Sequence, residues 1–285
     1  MKKEDILMSC KKKQHRQEDL QRISALCLMD DNFMSLFFKN NNECAELILR
    51  IILDRDDLKV TEVKTQELLK HPECRSICLD IYAADTGGNK YNVEVQRAND
   101  GANCLRARYH SSMIDADMLK HGEDFSELCE SYVIFITEND VLGLNEPIYH
   151  IDRVIREGNV QFNDRQHIIY VNGAMKSTDT ALGRLMSDFF CKKADDMHYK
   201  ELAKRVRYFK ESEEGVDTMC QIWDEVRNEG KMEGKIEGKI EGKIEGKIET
   251  AKAMIKSGKL SLEDIAEMTG FSVEQIRELA GNKSA

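Results

Sequence analysis

Two strand-like runs, LDIYAAD at 79–85 and YNVEVQ at 91–96, constrain this chain more than any other stretch. Between them lies TGGN, a turn signal. In each run apolar and polar residues alternate, which sends one set to each face of a sheet. Leu79, Ile81 and Ala83 share a face, opposite Asp80 and Tyr82; Val93 and Val95 oppose Glu94 and Gln96. Directly paired residues of an antiparallel hairpin share a face. Matching apolar to apolar therefore pairs Ile81 with Val93, closes the loop from Asp85 to Asn89, and sets Asp80 opposite Glu94.

Carboxylates so paired lie about 4.5–5.5 Å apart at Cβ and destabilise a sheet unless something compensates. Two readings follow. The polar face is simply solvated, or a divalent cation sits between the two acids. All-oxygen ligands at that spacing suit Mg2+ or Mn2+, with water completing the shell. Gln96 shares the face and is placed to orient a metal-bound water.

The remaining chain reads as mixed α/β. Helical runs cover DDNFMSLFF, with Asp31 as a cap, and NECAELILRIIL. LKVTEVKTQELL reads as a strand running into a loop. CLRARYHSSMIDADMLKHG reads as a helix ending near Gly122, and SYVIFITEND as a central strand. PIYHIDRVI and QHIIYVNG add strands, with His150 and Asp152 spaced to pair on one strand face. Beyond about residue 180 the pattern is helical.

The formal net charge of -10 does not advertise nucleic-acid binding, so such a site needs a local basic patch. Lys11, Lys12 and Lys13 form one cluster, Arg205 and Arg207 another. The 9 cysteines are odd in number, and Cys74 and Cys78 lack the CxxC spacing of a zinc site, which points to reduced packing thiols of a cytoplasmic protein. No run approaches transmembrane length, so no membrane partner is expected.

From Glu229 to Glu249 the chain repeats Glu-Gly-Lys-Ile. On a helix the isoleucine row drifts about 40° per repeat. Each Gly costs about 1 kcal/mol against Ala, and every Glu meets Glu, every Lys meets Lys, at i,i+4. The segment is a flexible spacer, or a helix that buries its isoleucines by homo-oligomerisation. LSLEDIAEMTGFSVEQIREL then reads as two helices capped by Ser261 and Ser272 around Gly270, a helix-turn-helix pattern. Its second helix carries Glu274, Gln275, Arg277 and Glu278, which is poor in base for DNA and leaves packing or self-association open.

LDIYAADTGGNKYNVEVQ resembles the core motif of the PD-(D/E)xK nuclease superfamily, and more closely the nuclease-family transposases, or recombination-promoting nucleases of the Rpn type. DDNFMSLFF, LRARYHSSMIDADML, SYVIFITEND and the EG-rich C-terminus support it, over about residues 28–250. The resemblance implies a restriction-endonuclease-like central mixed sheet flanked by helices, with a helical C-terminal extension. It implies a DNA endonuclease dependent on Mg2+ (or Mn2+), of recombination or mobile-element type. Asp80 and Glu94 match the family's metal ligands. Gln96 stands where the wider superfamily has Lys, and cannot act as a base. Asp31 or Glu46 is a candidate further acid, and Arg106 and Arg108 are candidate phosphate contacts. The alternative is an inactive descendant that binds nucleic acid or itself. The expected organisation is a basic segment at 1–25, a core at 26–200, a helical extension at 201–228, the repeat at 229–249 and the tail at 250–285.

Overall fold

The computed structural model describes residues 16–71, 73 and 75–281. The lysines at 11–13, most of the basic segment at 1–25, and Cys74 lie outside the described residues. Contacts divide the chain into two units, Met1–Met219 and Cys220–Ala285.

In the first unit a helix runs through residues 16–25 (α1), followed by α2 (Asp31–Phe38) and α3 (Asn42–Leu53). Asp31 is the first residue of α2 and not its cap; Asp30 holds that position, and its carboxylate accepts instead from the Cys27 N–H at 2.7 Å. Strands β1 (Val60–Leu69), β2 (Ile77–Asp85) and β3 (Lys90–Gln96) form an antiparallel meander. The run expected to lead into a loop stays in β1 to Leu69, because Glu67, Leu68 and Leu69 pair with Leu79, Cys78 and Ile77 of β2. Helix α4 (Cys104–Met118), stopping four residues short of Gly122, leads to β4 (Ser131–Thr137). β4 lies between parallel neighbours β3 and β8 (Gln166–Asn172), which explains its unbroken apolar run. β5 (Ile148–Ile151) closes the order β1-β2-β3-β4-β8-β5, a mixed sheet of six strands flanked by helices. β6 (Val154–Ile155) and β7 (Val160–Gln161) form a separate small hairpin. Helices α5 (Ala181–Phe190) and α6 (Lys200–Glu211) follow.

Helix α4 packs on one sheet face, where Ala107, Met113 and Ile114 meet Tyr82, Val133, Phe135 and Tyr170. The face carrying Asn92 and Glu94 is therefore covered, not solvated: both residues are fully buried. Leu79 belongs to that same cluster, whereas strict alternation would send it with Ile81 to the other side. The alternation slips at Asp80, across from Gln66, whose φ of 54° breaks the regular strand.

The turn between β2 and β3 is organised by Asp85. Its carboxylate accepts from the N–H groups of Gly87 (2.8 Å) and Asn89 (3.0 Å), from Asn89 Nδ2 (2.9 Å) and from Tyr91 OH (2.8 Å). Gly88, at φ 83°, supplies the left-handed residue the turn needs.

The long helix α7 (Glu213–Ser257) contains the whole repeat, so the spacer reading gives way to the helical one. Its row is exposed at Met232, Ile240 and Ile244. In the second unit, Ala251 of α7 packs with Ile265 and Ala266 of α8 (Leu262–Thr269) and Ile276 of α9 (Val273–Gly281). Ser261 and Asp264 form the expected capping box, Ser272 and Gln275 exchange the same pair of bonds, and Gly270 closes α8 at φ 72°. Arg277, the base of α9, faces Glu263 at 3.9 Å.

Candidate active site

The β2–β3 ladder has the expected register, from Ala84 opposite Lys90 to Ile81 opposite Val93, and ends there. One residue further on, side chains replace the backbone bonds. The Asp80 N–H donates to Glu94 Oε1 (3.3 Å), and the Val95 N–H donates to Asp80 Oδ2 (3.2 Å). Each carboxylate thus takes a backbone donor from the other's strand. That exchange opens the hairpin and holds both acids between the strands. From β1, Gln66 Nε2 donates to Asp80 Oδ1 at 3.4 Å.

Helix α4 supplies the opposing charge. Asn103 caps it by accepting from the Arg106 N–H at 2.9 Å, which sets the first turn. Arg106 and His110, four residues apart, face the sheet together. Arg106 Nη2 donates to Glu94 Oε2 at 2.9 Å, and its Nε–H donates to His110 Nε2 at 3.4 Å. A neutral imidazole accepting at Nε2 carries its proton on Nδ1. That nitrogen lies 3.6 Å from Glu94 Oε1; Asn92 Nδ2, 3.3 Å away, is itself a donor and makes no bond to it in this tautomer.

Burial pushes the Glu94 carboxyl well above the usual range; the Asp80 charge adds to this and Arg106 opposes it. Burial also raises Asp80, helped by the charge of Asp31 and opposed by the Val95 N–H and Arg106. His110 moves the other way, down to about 4, through burial and then the charges of Arg106 and Arg75. The site therefore holds a neutral histidine beside two acids that resist ionising together.

Asp31 sits at the start of α2, exposed, with its charge felt at Asp80. Arg97, just after β3, fixes this corner by donating to Met29 O (3.1 Å) and Asp30 Oδ1 (3.0 Å). Glu46 does not join the site. Its Oε2 accepts from the Val60 N–H at 3.0 Å and its Oε1 pairs with Arg50 at 2.6 Å, so it anchors α3 to β1. Gln96 ends β3 with its side chain laid over Gly101: a Cβ there would lie 2.0 Å from Gln96 Oε1. Arg106 is no solvated helix residue but the partner of Glu94, whereas Arg108 is exposed. Asp152 pairs with His167 Nδ1 at 2.9 Å rather than with His150, because β5 ends at Ile151 and the alternation that would align them stops there.

Sequence reasoning missed Asn92, His110, Arg75 and Gly101. Asn92 was readable as the alternation partner of Glu94, and His110 as the i+4 neighbour of Arg106. Nothing local marks Arg75 or Gly101.

Among the described residues no cluster of three or more His, Cys, Asp or Glu is arranged to hold a metal. Two carboxylates remain, and they fit a hard cation that keeps most of its water. Burial is the main cause of their raised proton affinities, and their amide bonds leave other oxygen lone pairs free.

The family model described as PD-(D/E)XK nuclease family transposase matches residues 27–230. No curated protein and no solved structure matches the chain.

Proposed function

The chain belongs to the PD-(D/E)XK nuclease family transposases, and we propose that it is a cytoplasmic DNA endonuclease dependent on Mg2+ or Mn2+. The observation that carries this reading is the exchange of strand amides between Asp80 and Glu94, which presents two oxygen ligands at one break in the hairpin. Bound there, the cation would supply an activated water for in-line attack on a phosphodiester. Asp80 and Glu94 would hold it, with Asp31, whose charge reaches Asp80, as a further acid. Gln96 does not ionise; it orients a water or a phosphate oxygen, held against Gly101. Arg106 neutralises Glu94, and neutral His110 accepts its Nε–H and keeps the guanidinium turned inward.

Supercoiled plasmid is expected to be nicked with Mg2+ or Mn2+, and Asp80→Ala or Glu94→Ala to abolish nicking while the far-ultraviolet circular dichroism is kept. Equal behaviour of wild type and both variants would sink the reading and leave the inactive, nucleic-acid-binding descendant.

The exposed Met232, Ile240 and Ile244 favour homo-oligomerisation as the role of the repeat. A chain truncated before Glu229 is expected to sediment as a smaller species; an unchanged species removes that role. The single base of α9, Arg277, among Glu274 and Glu278 favours packing or self-association over DNA contact for the tail. No helix of the described residues is long and apolar enough to cross a membrane.

A further inference from the structure

Beside the carboxylate pair lies a cavity of about 700 Å³, between the start of β2 and the first turns of α4. Cys78, two residues before Asp80, lines one wall, and Arg106, the partner of Glu94, lines the other. The cavity thus adjoins the site and shares Arg106 and His110 with it. Three guanidinium groups line it, from Arg75, Arg106 and Arg108, against one carboxylate, Asp100. In a chain of formal net charge -10 this is a local excess of positive charge.

Arg75 and Arg108 are exposed, and neither guanidinium makes an ion pair or hydrogen bond with a described residue. Arg75 is held by its backbone, whose carbonyl accepts from Tyr109 OH at 2.7 Å. The space is far larger than one water or small ion needs and falls in the range of ligand pockets. Leu105, 63% exposed, adds an apolar surface against which a sugar can lie.

We infer that this cavity is a phosphate subsite for the nucleic-acid strand, in which Arg75 and Arg108 grip a backbone phosphate flanking the scissile one. The inference rests on the endonuclease reading for its ligand. Guanidinium forks match phosphate oxygens, and each phosphate neutralised releases counterions. Arg106 is committed to Glu94, which leaves the grip to the other two.

The test is binding of the full chain to a fluorescent DNA duplex in EDTA, by anisotropy across a salt series, with blunt ends either 5′-phosphorylated or not. Arg75→Ala and Arg108→Ala are each expected to lower the slope of log K against log[salt] by about 1, and the double variant by about 2, on both duplexes. Under Mg2+ the same variants are expected to raise KM and leave kcat within about twofold. A slope unchanged in the double variant overturns the subsite. A loss confined to the 5′-phosphorylated duplex overturns the backbone assignment in favour of a terminal phosphate. Arginine-dependent binding without any cleavage by wild type would reject the nuclease reading and keep the subsite; cleavage with unaltered slopes would do the reverse.

Discussion

Arg106 Nη2 lies 2.9 Å from Glu94 Oε2, joining a guanidinium that is 36% exposed to a carboxylate with no exposed surface. Removing one partner of a buried pair strands the other charge, which costs about 3–5 kcal/mol. Arg106 is partly solvated, and Glu94, already raised by burial, takes up a proton when its partner is lost, so the cost falls below that range. Arg106→Ala is therefore expected to destabilise the chain by about 1–2 kcal/mol in EDTA, measured by urea unfolding. Adding Glu94→Gln removes the stranded charge and should recover part of the loss. A double variant no more stable than Arg106→Ala would show that the pair does not matter to folding.

His110 gives a pH dependence with a defined sign. The folded imidazole titrates at about 4 and its ordinary value is 6.5. Between these values the unfolded chain binds a proton that the folded chain does not. Its contribution is complete above pH 6.5 and is lost as pH falls toward 4. From pH 7 to pH 5 the loss is about 2 kcal/mol, by the same linkage. Wild type should lose that much more stability over this interval than His110→Gln. Equal losses would mean that folding does not lower the affinity of this imidazole for a proton.

The hairpin was legible because two local rules agreed: apolar matching fixed Ile81 opposite Val93, and the Gly-containing turn accommodates that closure. The approach of Asp80 to Glu94 followed from it. What the alternation could not reveal is that the ladder breaks at those residues, since the break depends on side-chain oxygens replacing carbonyl acceptors. Nor could it tell a solvated face from one covered by α4, because Glu94 and Asn92 are polar yet buried. Where the Glu46 carboxylate points was not legible for a similar reason. An acid on an early helix looks alike whether it points at the site or at the β1 backbone. The Ser261 and Ser272 caps were readable because capping is local, needing three residues and no tertiary partner.

Gly101 and Gln96 offer a test that does not remove any ionisable group. A Cβ at residue 101 would lie 2.0 Å from Gln96 Oε1, so Gly101→Ala must displace that side chain. Misplacing a group by about 1 Å can cost on the order of 10²-fold in rate. Gly101→Ala is expected to lower plasmid nicking by that factor while its thermal midpoint stays close to wild type. Gln96→Ala should do the same, and the double variant no more, because both changes act on one side chain. Multiplying losses would mean that the turn at Asn99–Ala102 serves some purpose other than placing Gln96.

The repeat carries its own prediction. Gly234, Gly238, Gly242 and Gly246 lie within α7, and a Cβ at any of them would meet nothing within 4 Å. No packing is therefore lost by adding one, while each Gly-to-Ala change in a helix interior favours the helix by about 1 kcal/mol. The like charges at i,i+4 stay in place, so the effect isolates backbone entropy from charge. The fourfold Ala variant should keep its helical ellipticity to higher temperature than wild type, as followed at 222 nm by circular dichroism. An unchanged or lowered transition would mean that a second copy approaches the glycine row closely enough for four methyl groups to obstruct it. Sedimentation of the same variant would then show a smaller species.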